Sequence, residues 1–375
     1  MLVGIEGRNL QGKRFGVGRY LVNLLRQFAS IGGENRYLVY LSEPIEPLDF
    51  SSSAINYVNL GKAPSIMWRH LRLPLAMRRD KIDLHFSPSY FLPLIKVCPS
   101  VVVIHDIISK VHPEWFVRDR RLLFEDLFLR EVRRAERIVT VSEYSKRDIV
   151  EVLKVDASKV VAVPNAPDEI FRPVEDEQAL REVRERYGLR EGFIFTVGAI
   201  HTRRNLIRLL EAVALAEKKL RSELQLLVIG EPAPFSPPVD LRGAARRCGL
   251  EERMVHVEYV SDQDLLLLYN ACGLFAYPSL YEGFGLPVIE AMACGTPVAC
   301  SRATSLPEVA GEAAVYFDPN DAEDIAEALV KILSSEELKR ELSRAGIERA
   351  STFSWRRTAE EILGVFEEIV GQGAR

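Results

Sequence analysis

Short apolar runs alternate with amphipathic segments of helical length along the whole 375-residue chain. The runs LVGIE, YLVYL, LHFSP, VVVIHD, RIVTVS and VVAVPN come first, with helical patterns such as VGRYLVNLLRQFA and SKRDIVEVL between them. A second series follows: FIFTVG, LQLLVIG, MVHVEYV, LFAYPS, PVACS and AAVYFD, separated by NLIRLLEAVALAEKKL, DQDLLLLYNAC, PVIEAMAC and AEDIAEALVKILSS. Strands this uniformly apolar need cover on both faces, which a parallel sheet flanked by helices supplies. The fold class is therefore α/β. One core cannot serve a chain of this length, so two domains are expected. Residues 168–192 are polar, bear a proline and hold no strand; they read as a linker between a domain over 1–167 and another over 193–354. Residues 355–375 read as one more amphipathic helix. Open α/β sheets bind ligands beyond the carboxyl ends of their strands, so the informative residues are those that directly follow a strand.

With 47% hydrophobic and 27% charged residues, the composition is that of a globular chain. The opening MLVGIEGRNL has no basic segment followed by a long apolar one, and no run is long and apolar enough to span a bilayer. Cys98, Cys248, Cys272, Cys294 and Cys300 form no CxxC pair, so neither a disulfide framework nor a zinc knuckle is expected. A cytoplasmic location follows as the expectation. Charge is uneven: residues 1–165 hold 25 Lys and Arg against 18 Asp and Glu, whereas the remainder is acidic. The basic residues gather in MWRHLRLPLAMRRDK and RDRRLLFEDLFLREVRRAER. Each reads as a helix whose arginines are either ordinarily solvated or make a peripheral contact with anionic lipid. Stacking aromatics do not alternate with these cations, so nucleic acid is not an expected partner.

Several candidate residues follow strands. In YPSLYEGFGLPVIEAMACGTPVAC, LFAYPS is a strand, LYEGFGL a loop and Pro287 suits the first helical position. Gly283 and Gly285 would let the backbone approach a ligand, and the start of the short helix favours an anion. Glu290 would lie near that terminus, and Glu282 would face the crevice. The plain alternative is a solvated Glu282 and a Glu290 placed by the helix dipole. Arg203 and Arg204 in FIFTVGAIHTRRNL open a helix after a strand, as surface charges or as phosphate ligands. His105 and Asp106 end VVVIHD, where a histidine is either structural or a contact at a reacting centre. Gly16 and Gly18 open the helix in GVGRYLVNLL but lack the rest of a dinucleotide fingerprint; they would touch a diphosphate or an acceptor. Asp262 and Asp264 in VSDQDLLLLY form a D-x-D, which reads as a capping box from Ser261 to Asp264 and not as a metal site.

The string YEGFGLPVIEAMACGTPV, with seven residues between Glu282 and Glu290, resembles the signature of retaining glycosyltransferases of family 4. The resemblance extends through VVVIHDIISKVHPEWF, VTVSEYSKRDIVEVLKVDASKVVAVPNAPDEIFRP, FTVGAIHTRRNLIRLLEA and SLPEVAGEAAVYFDP. It implies the GT-B fold, two Rossmann-like domains facing each other across a cleft, with an N-terminal acceptor-binding and a C-terminal nucleotide-sugar-binding domain. The final helix would cross back to the first domain. Glu282 would contact the donor sugar, Glu290 the ribose, and the backbone of Phe284, Gly285 and Leu286 the sugar and diphosphate. Arg203 and Arg204 would hold the phosphates, the turn at Tyr259 and Val260 the base, and His105 the reacting centre. Arg204 stands where many members have lysine, and Ala199 where some have arginine.

The resemblance implies transfer with retention. No metal or other cofactor is expected, so arginines and helix N–H groups must meet the charge of the departing diphosphate. GDP-mannose is the first expectation for the nucleotide-sugar donor, with a glycan or lipid-linked acceptor. Closure of the two domains would orient the substrates and exclude water. Three rivals are a sugar-nucleotide 2-epimerase, a non-catalytic nucleotide-sugar-binding subunit and, on weaker grounds, a dehydrogenase.

Overall fold

In the computed structural model, which describes residues 1–12, 16–117, 125–234 and 236–373, the apolar runs pair as two wholly parallel sheets. The chain divides into two compact units. One comprises Met1–Ile107, Asp119–Asn165 and Ser354–Arg375; the other comprises Ile108–Arg118 and Ala166–Phe353.

The first unit holds β1 (Leu2–Glu6), β2 (Arg36–Leu41), β3 (Ile55–Asn59), β4 (Leu84–Ser87), β5 (Ser100–Val103), β6 (Arg137–Thr140) and β7 (Val160–Ala162). They lie in the order β3-β2-β1-β4-β5-β6-β7. Six of these strands lie, to within a residue, inside runs read as strands from the sequence. The seventh, β3 with the sequence INYVN, does not: it is an edge strand with only Ile55 buried, so it carries no apolar run. Gly16 caps the helix Val17–Ile31, Gly18 is its second residue, and Tyr20, Leu21, Leu24, Leu25 and Phe28 are buried along its inner side.

The C-terminal helix Trp355–Gly373 belongs to this first unit. Trp355 meets Tyr20 at 5.8 Å between ring centroids, and Phe366 sits 5.2 Å from Phe86 and 6.2 Å from Phe28. Thr358 Oγ1 donates to the Pro164 carbonyl at 2.7 Å.

The second unit holds β8 (Ile194–Val197), β9 (Leu226–Ile229), β10 (Met254–Val257), β11 (Leu274–Tyr277), β12 (Val298–Ser301) and β13 (Val315–Phe317). Their order is β10-β9-β8-β11-β12-β13. Two helices, Leu206–Leu220 and Ala322–Leu333, contribute Leu209, Leu210, Val213, Ile325 and Leu329 to its core. Each sheet grows first one way and then the other. The order reverses between β1 and β4 in one unit and between β8 and β11 in the other. These reversals are the switch points where doubly wound sheets leave room for ligands.

Two boundaries differ from the expected ones. The segment read as a linker carries the helix Glu177–Tyr187, capped by the Asp176 carboxylate, which accepts from the Gln178 and Ala179 amides at 3.1 Å. Tyr187 OH donates to Asp264 Oδ2 at 2.8 Å, and the helix is part of the second unit. Residues 108–118, expected within the first domain, also belong to the second unit. Ring contacts account for this: Phe116 lies 5.1 Å from His201, and His112 stacks on Trp115 at 3.9 Å with its edge toward Tyr281 at 5.9 Å. Of the two basic stretches, residues 65–79 are helical, while residues 118–124 of the second lie outside the described residues.

Candidate active site

Because β8 and β11 are sheet neighbours, with Phe195 opposite Phe275, the loops after them emerge side by side at the switch point. The β8 loop bears Arg203 and Arg204; the β11 loop bears Glu282. Backbone joins the two, the Leu280 amide donating to the Arg203 carbonyl at 2.8 Å.

Glu282 is buried, which removes the plain alternative of a solvated loop carboxylate. Its Oε1 accepts from Arg204 Nη1, from Ser279 Oγ at 2.6 Å and from Tyr277 OH at 3.2 Å. Its Oε2 lies 3.9 Å from Arg203 Nη1. The Arg204 guanidinium also stands 5.1 Å from the centre of the Tyr277 ring, a cation–π contact. Burial pushes the Glu282 carboxyl up, but Arg204, Arg203 and the Ser279 hydroxyl more than offset it and hold the group below the usual glutamate range. The backbone around it is equally fixed. The Glu282 amide donates to Thr304 Oγ1 at 3.0 Å, and the Ser305 hydroxyl lies 2.9 Å from the Glu282 carbonyl and 3.0 Å from that of Phe284.

Two glycines make this packing feasible. Gly198 follows β8 at φ +135°, and a Cβ there would stand 2.8 Å from the Arg204 guanidinium carbon. Gly285 precedes the helix Leu286–Ala293 at φ +105°, and a Cβ there would meet Leu306 at 2.5 Å. Pro287 is the second residue of that helix and not the first, because Leu286 already has helical geometry. Gly283, Phe284 and Leu286 complete the loop.

Glu290 is buried inside the same helix, and its Oε2 accepts from Tyr269 OH at 3.1 Å. Val260 lies buried in the turn between β10 and the helix Asp262–Ala271. Ser261 Oγ accepts from the Asp264 amide at 3.1 Å, the cap that the sequence suggested, while the Asp264 carboxylate is engaged by Tyr187 and Arg186. Among the described residues no three His, Cys, Asp or Glu side chains converge as metal ligands.

The remaining candidates lie in the first unit. Gly16 and Gly18 start their helix, and residues 13–15 before them lie outside the described residues. His105 follows β5, with its Nε2 3.0 Å from the Pro88 carbonyl and its ring edge-on to Tyr20 at 4.9 Å. Burial pushes its pKa down, so the ring is neutral near pH 7, Nε2–H donates to Pro88 and Nδ1 is left as an acceptor.

Sequence reasoning missed the residues that hold Glu282 and the arginines in place. Ser279 and Tyr277 sit in the quoted YPSLYE, but their hydroxyls could not be aimed at Glu282 without knowing that the chain doubles back. His201 was also missed. Its Nδ1 accepts from the Arg203 amide at 3.1 Å, which leaves the proton on Nε2, a buried atom with no hydrogen-bond partner. Burial, then Arg203 and Arg204, push its pKa down to about 4.

The comparisons with known proteins agree with this architecture. The family "Glycosyltransferase Family 4" matches residues 16–169, and "Glycosyl transferases group 1" matches residues 180–349. The chain is 31% identical to an O-antigen chain mannosyltransferase B of Escherichia coli, over 78% of this chain and 76% of the relative. It is 26% identical to a serotype-specific mannosyltransferase, WbdA, also of Escherichia coli, over 99% of this chain but only 48% of that longer protein. Among solved structures, sucrose-phosphate synthase from Thermosynechococcus elongatus superimposes with a TM-score of 0.78 at 20% identity, over 99% of both chains. Anabaena HepE in complex with UDP-glucose gives 0.74 at 17% identity, over 98% of this chain and 99% of that one. The chain belongs to glycosyltransferase family 4 and is a glycosyltransferase enzyme with the two-domain α/β GT-B fold.

Proposed function

We propose that the protein transfers mannose from GDP-mannose to a glycan or lipid-linked acceptor of a polysaccharide pathway, with retention of anomeric configuration and without a metal ion. The observation that carries the choice of sugar is the 31% identical O-antigen mannosyltransferase, which matches more than three quarters of either chain. The notion of a nucleotide-sugar donor is further supported by HepE, a structural neighbour solved with UDP-glucose. Cytoplasmic location, at the inner face of a membrane where a lipid-linked acceptor would stand, is part of the same reading. Among the described residues no helix is long and apolar enough to cross a membrane.

The paired cations beside Glu282 suit a departing nucleoside diphosphate. In the proposed step the C1–O bond to the β-phosphate breaks and its electron pair leaves with the diphosphate. The acceptor hydroxyl forms the new bond on the same face of the sugar, and its proton passes to the departing phosphate oxygen. Arg203 and Arg204, held in advance, stabilise the charge that develops there. Glu282, kept ionised by those same arginines, orients the sugar through its hydroxyls and does not attack C1. Glu290 would reach the ribose, Val260 the base, and His105 the sugar and acceptor at the reacting centre.

A direct test is to incubate the protein with GDP-mannose, GDP-fucose and UDP-glucose in turn, with an oligosaccharide acceptor, and to follow the anomeric protons by NMR. An α-mannoside made from GDP-mannose, undiminished by EDTA, is the expected product. A β-mannoside would overturn retention, loss of activity in EDTA would overturn metal independence, and transfer from another donor alone would overturn the choice of sugar.

A further inference from the structure

A pocket of about 470 Å³ opens in the second unit, at the sheet edge opposite the candidate active site. Its floor is made where the chain enters two strands: Cys272 and Gly273 directly precede β11, and Gly295 to Pro297 directly precede β12. Arg203, Arg204 and Glu282 instead follow the carboxyl ends of β8 and β11. The pocket is therefore separate from the site at the switch point.

One wall is the helix Glu336–Ser351, which presents Lys339, Arg340, Ser343, Arg344 and Ile347. These positions recur at spacings of three and four residues and so share one helix face. The helix is seated closely on the floor. A Cβ on Gly346 would stand 3.4 Å from the Met292 Cα, and a Cβ on Gly295, at φ +75°, would stand 3.0 Å from Ser343 Oγ. The cavity is thus formed in advance, as small-molecule sites usually are, and its volume falls in their range.

Three cations line the pocket and no acidic side chain does. Among the described residues Arg344 makes neither a hydrogen bond nor an ion pair. Arg340 spends only its Nε, on the Glu336 carbonyl at 3.2 Å, and keeps both Nη groups. Lys339 is paired at 2.6 Å with Glu336, an exposed carboxylate, and such a surface pair is exchanged for another anion at little cost. The floor's amides are already used: Cys272 donates to the Leu268 carbonyl, Gly295 to that of Met292 and Thr296 to that of Ala291. Recognition therefore falls to the side chains of the helix.

Two guanidinium forks one turn apart, with an ammonium beside them, match the several oxygens of a phosphate better than the two of a carboxylate. A phosphomonoester also brings a charge of about −1.5 to −2 near pH 7. The volume exceeds what a bare phosphate fills, and Pro297 and the exposed Ile347 offer apolar surface to a carbon skeleton. No aromatic ring lines the pocket, so nothing there would stack on a nucleobase. We propose that this pocket binds a small organic phosphate of sugar-phosphate size through Arg344, Arg340 and Lys339. The inference rests on the pocket alone, so a failure of the donor assignment would leave it standing.

Isoleucine δ1-methyl NMR of the full chain reads the pocket through Ile347, whose signal Ile347→Val identifies. Glucose 6-phosphate and mannose 1-phosphate are the probes, at millimolar concentration, with mannose and inorganic phosphate as controls. At least one sugar phosphate should move the Ile347 signal saturably, mannose should leave it in place, and inorganic phosphate should bind at least about tenfold more weakly. Arg340→Glu/Arg344→Glu should weaken sugar-phosphate binding at least about tenfold, since charge-assisted hydrogen bonds are lost. Both side chains are exposed, and the variant's transfer rate without the probe should be that of the native chain. Should the double variant fail to fold by circular dichroism, Arg344→Gln replaces it, with the same direction expected. An Ile347 signal that neither sugar phosphate moves overturns the inference, as does a shift that survives the substitutions or that mannose produces equally. Inorganic phosphate binding as tightly as the sugar phosphates would overturn the assignment of a carbon skeleton.

Discussion

Arg204 donates through Nη1 to Glu282 Oε1, although the two residues sit on loops after different strands and 78 positions apart in sequence. Glu282 is buried and Arg204 half-buried, and each is the other's principal counter-charge. Removing one partner of such a pair strands the other. Glu282→Ala should therefore destabilise the second unit by about 3 kcal/mol, read from urea unfolding. Glu282→Gln, which can still accept from Ser279, should fold with a smaller loss yet transfer at least about a hundredfold more slowly. Equal stability of the alanine variant and the native chain would show that the pair does not hold the loops.

Acid should weaken the same region in two windows. The folded pKa of Glu282 is depressed, so its contribution is complete above the ordinary glutamate range and is lost as pH falls through the lower folded value. His201 is also depressed, to about 4, and its contribution is complete above an unfolded histidine pKa of roughly 6.5 and lost progressively down to about 4. Comparing urea unfolding of the native chain with His201→Gln at pH 7 and pH 5 isolates the second window. The native chain should lose more stability over that interval than the variant, and parallel losses would refute the assignment.

Gly198→Ala places a methyl group within 2.8 Å of the Arg204 guanidinium and imposes a side chain at φ +135°. The backbone cost alone is about 1–3 kcal/mol. The displaced arginine should also raise the KM for the donor by about tenfold, because its charge would no longer stand where we propose the phosphates bind. A variant with native donor KM would detach Arg204 from donor binding.

In the first unit, His105→Ala should lower kcat by about 10²-fold while leaving the KM for the donor within a few-fold, as expected of a group that contacts the reacting centre. A change confined to donor KM would assign the residue to binding.

Phe366→Ala should destabilise the first unit by about 3–5 kcal/mol, since the ring is fully buried between Phe28 and Phe86. Differential calorimetry should place the loss in one of two transitions and leave the other where it was.

Much of this was readable in the chain, for definite reasons. The central strands are buried on both faces and appear as unbroken apolar runs, so twelve of the thirteen strands lie, to within a residue, inside segments singled out from the sequence alone. β3 escaped because an edge strand needs only one buried side chain. The helix Glu177–Tyr187 escaped because its surface is charged and its anchorage, Tyr187 to Asp264, joins residues far apart in sequence. Ser261 as a cap was legible, being a contact between neighbours three residues apart. The closure of Arg204 onto Glu282 was not, since it depends on β8 and β11 lying side by side, which sheet order decides and local pattern does not.

The return of Trp355–Gly373 to the first unit also sets an order of assembly. During synthesis the N-terminal unit cannot complete its core when its own strands have emerged, because Phe366 follows the whole of the second unit in sequence. The second unit can therefore be finished first, and the nascent first unit must wait, with Phe28 and Phe86 uncovered, for the helix that follows it.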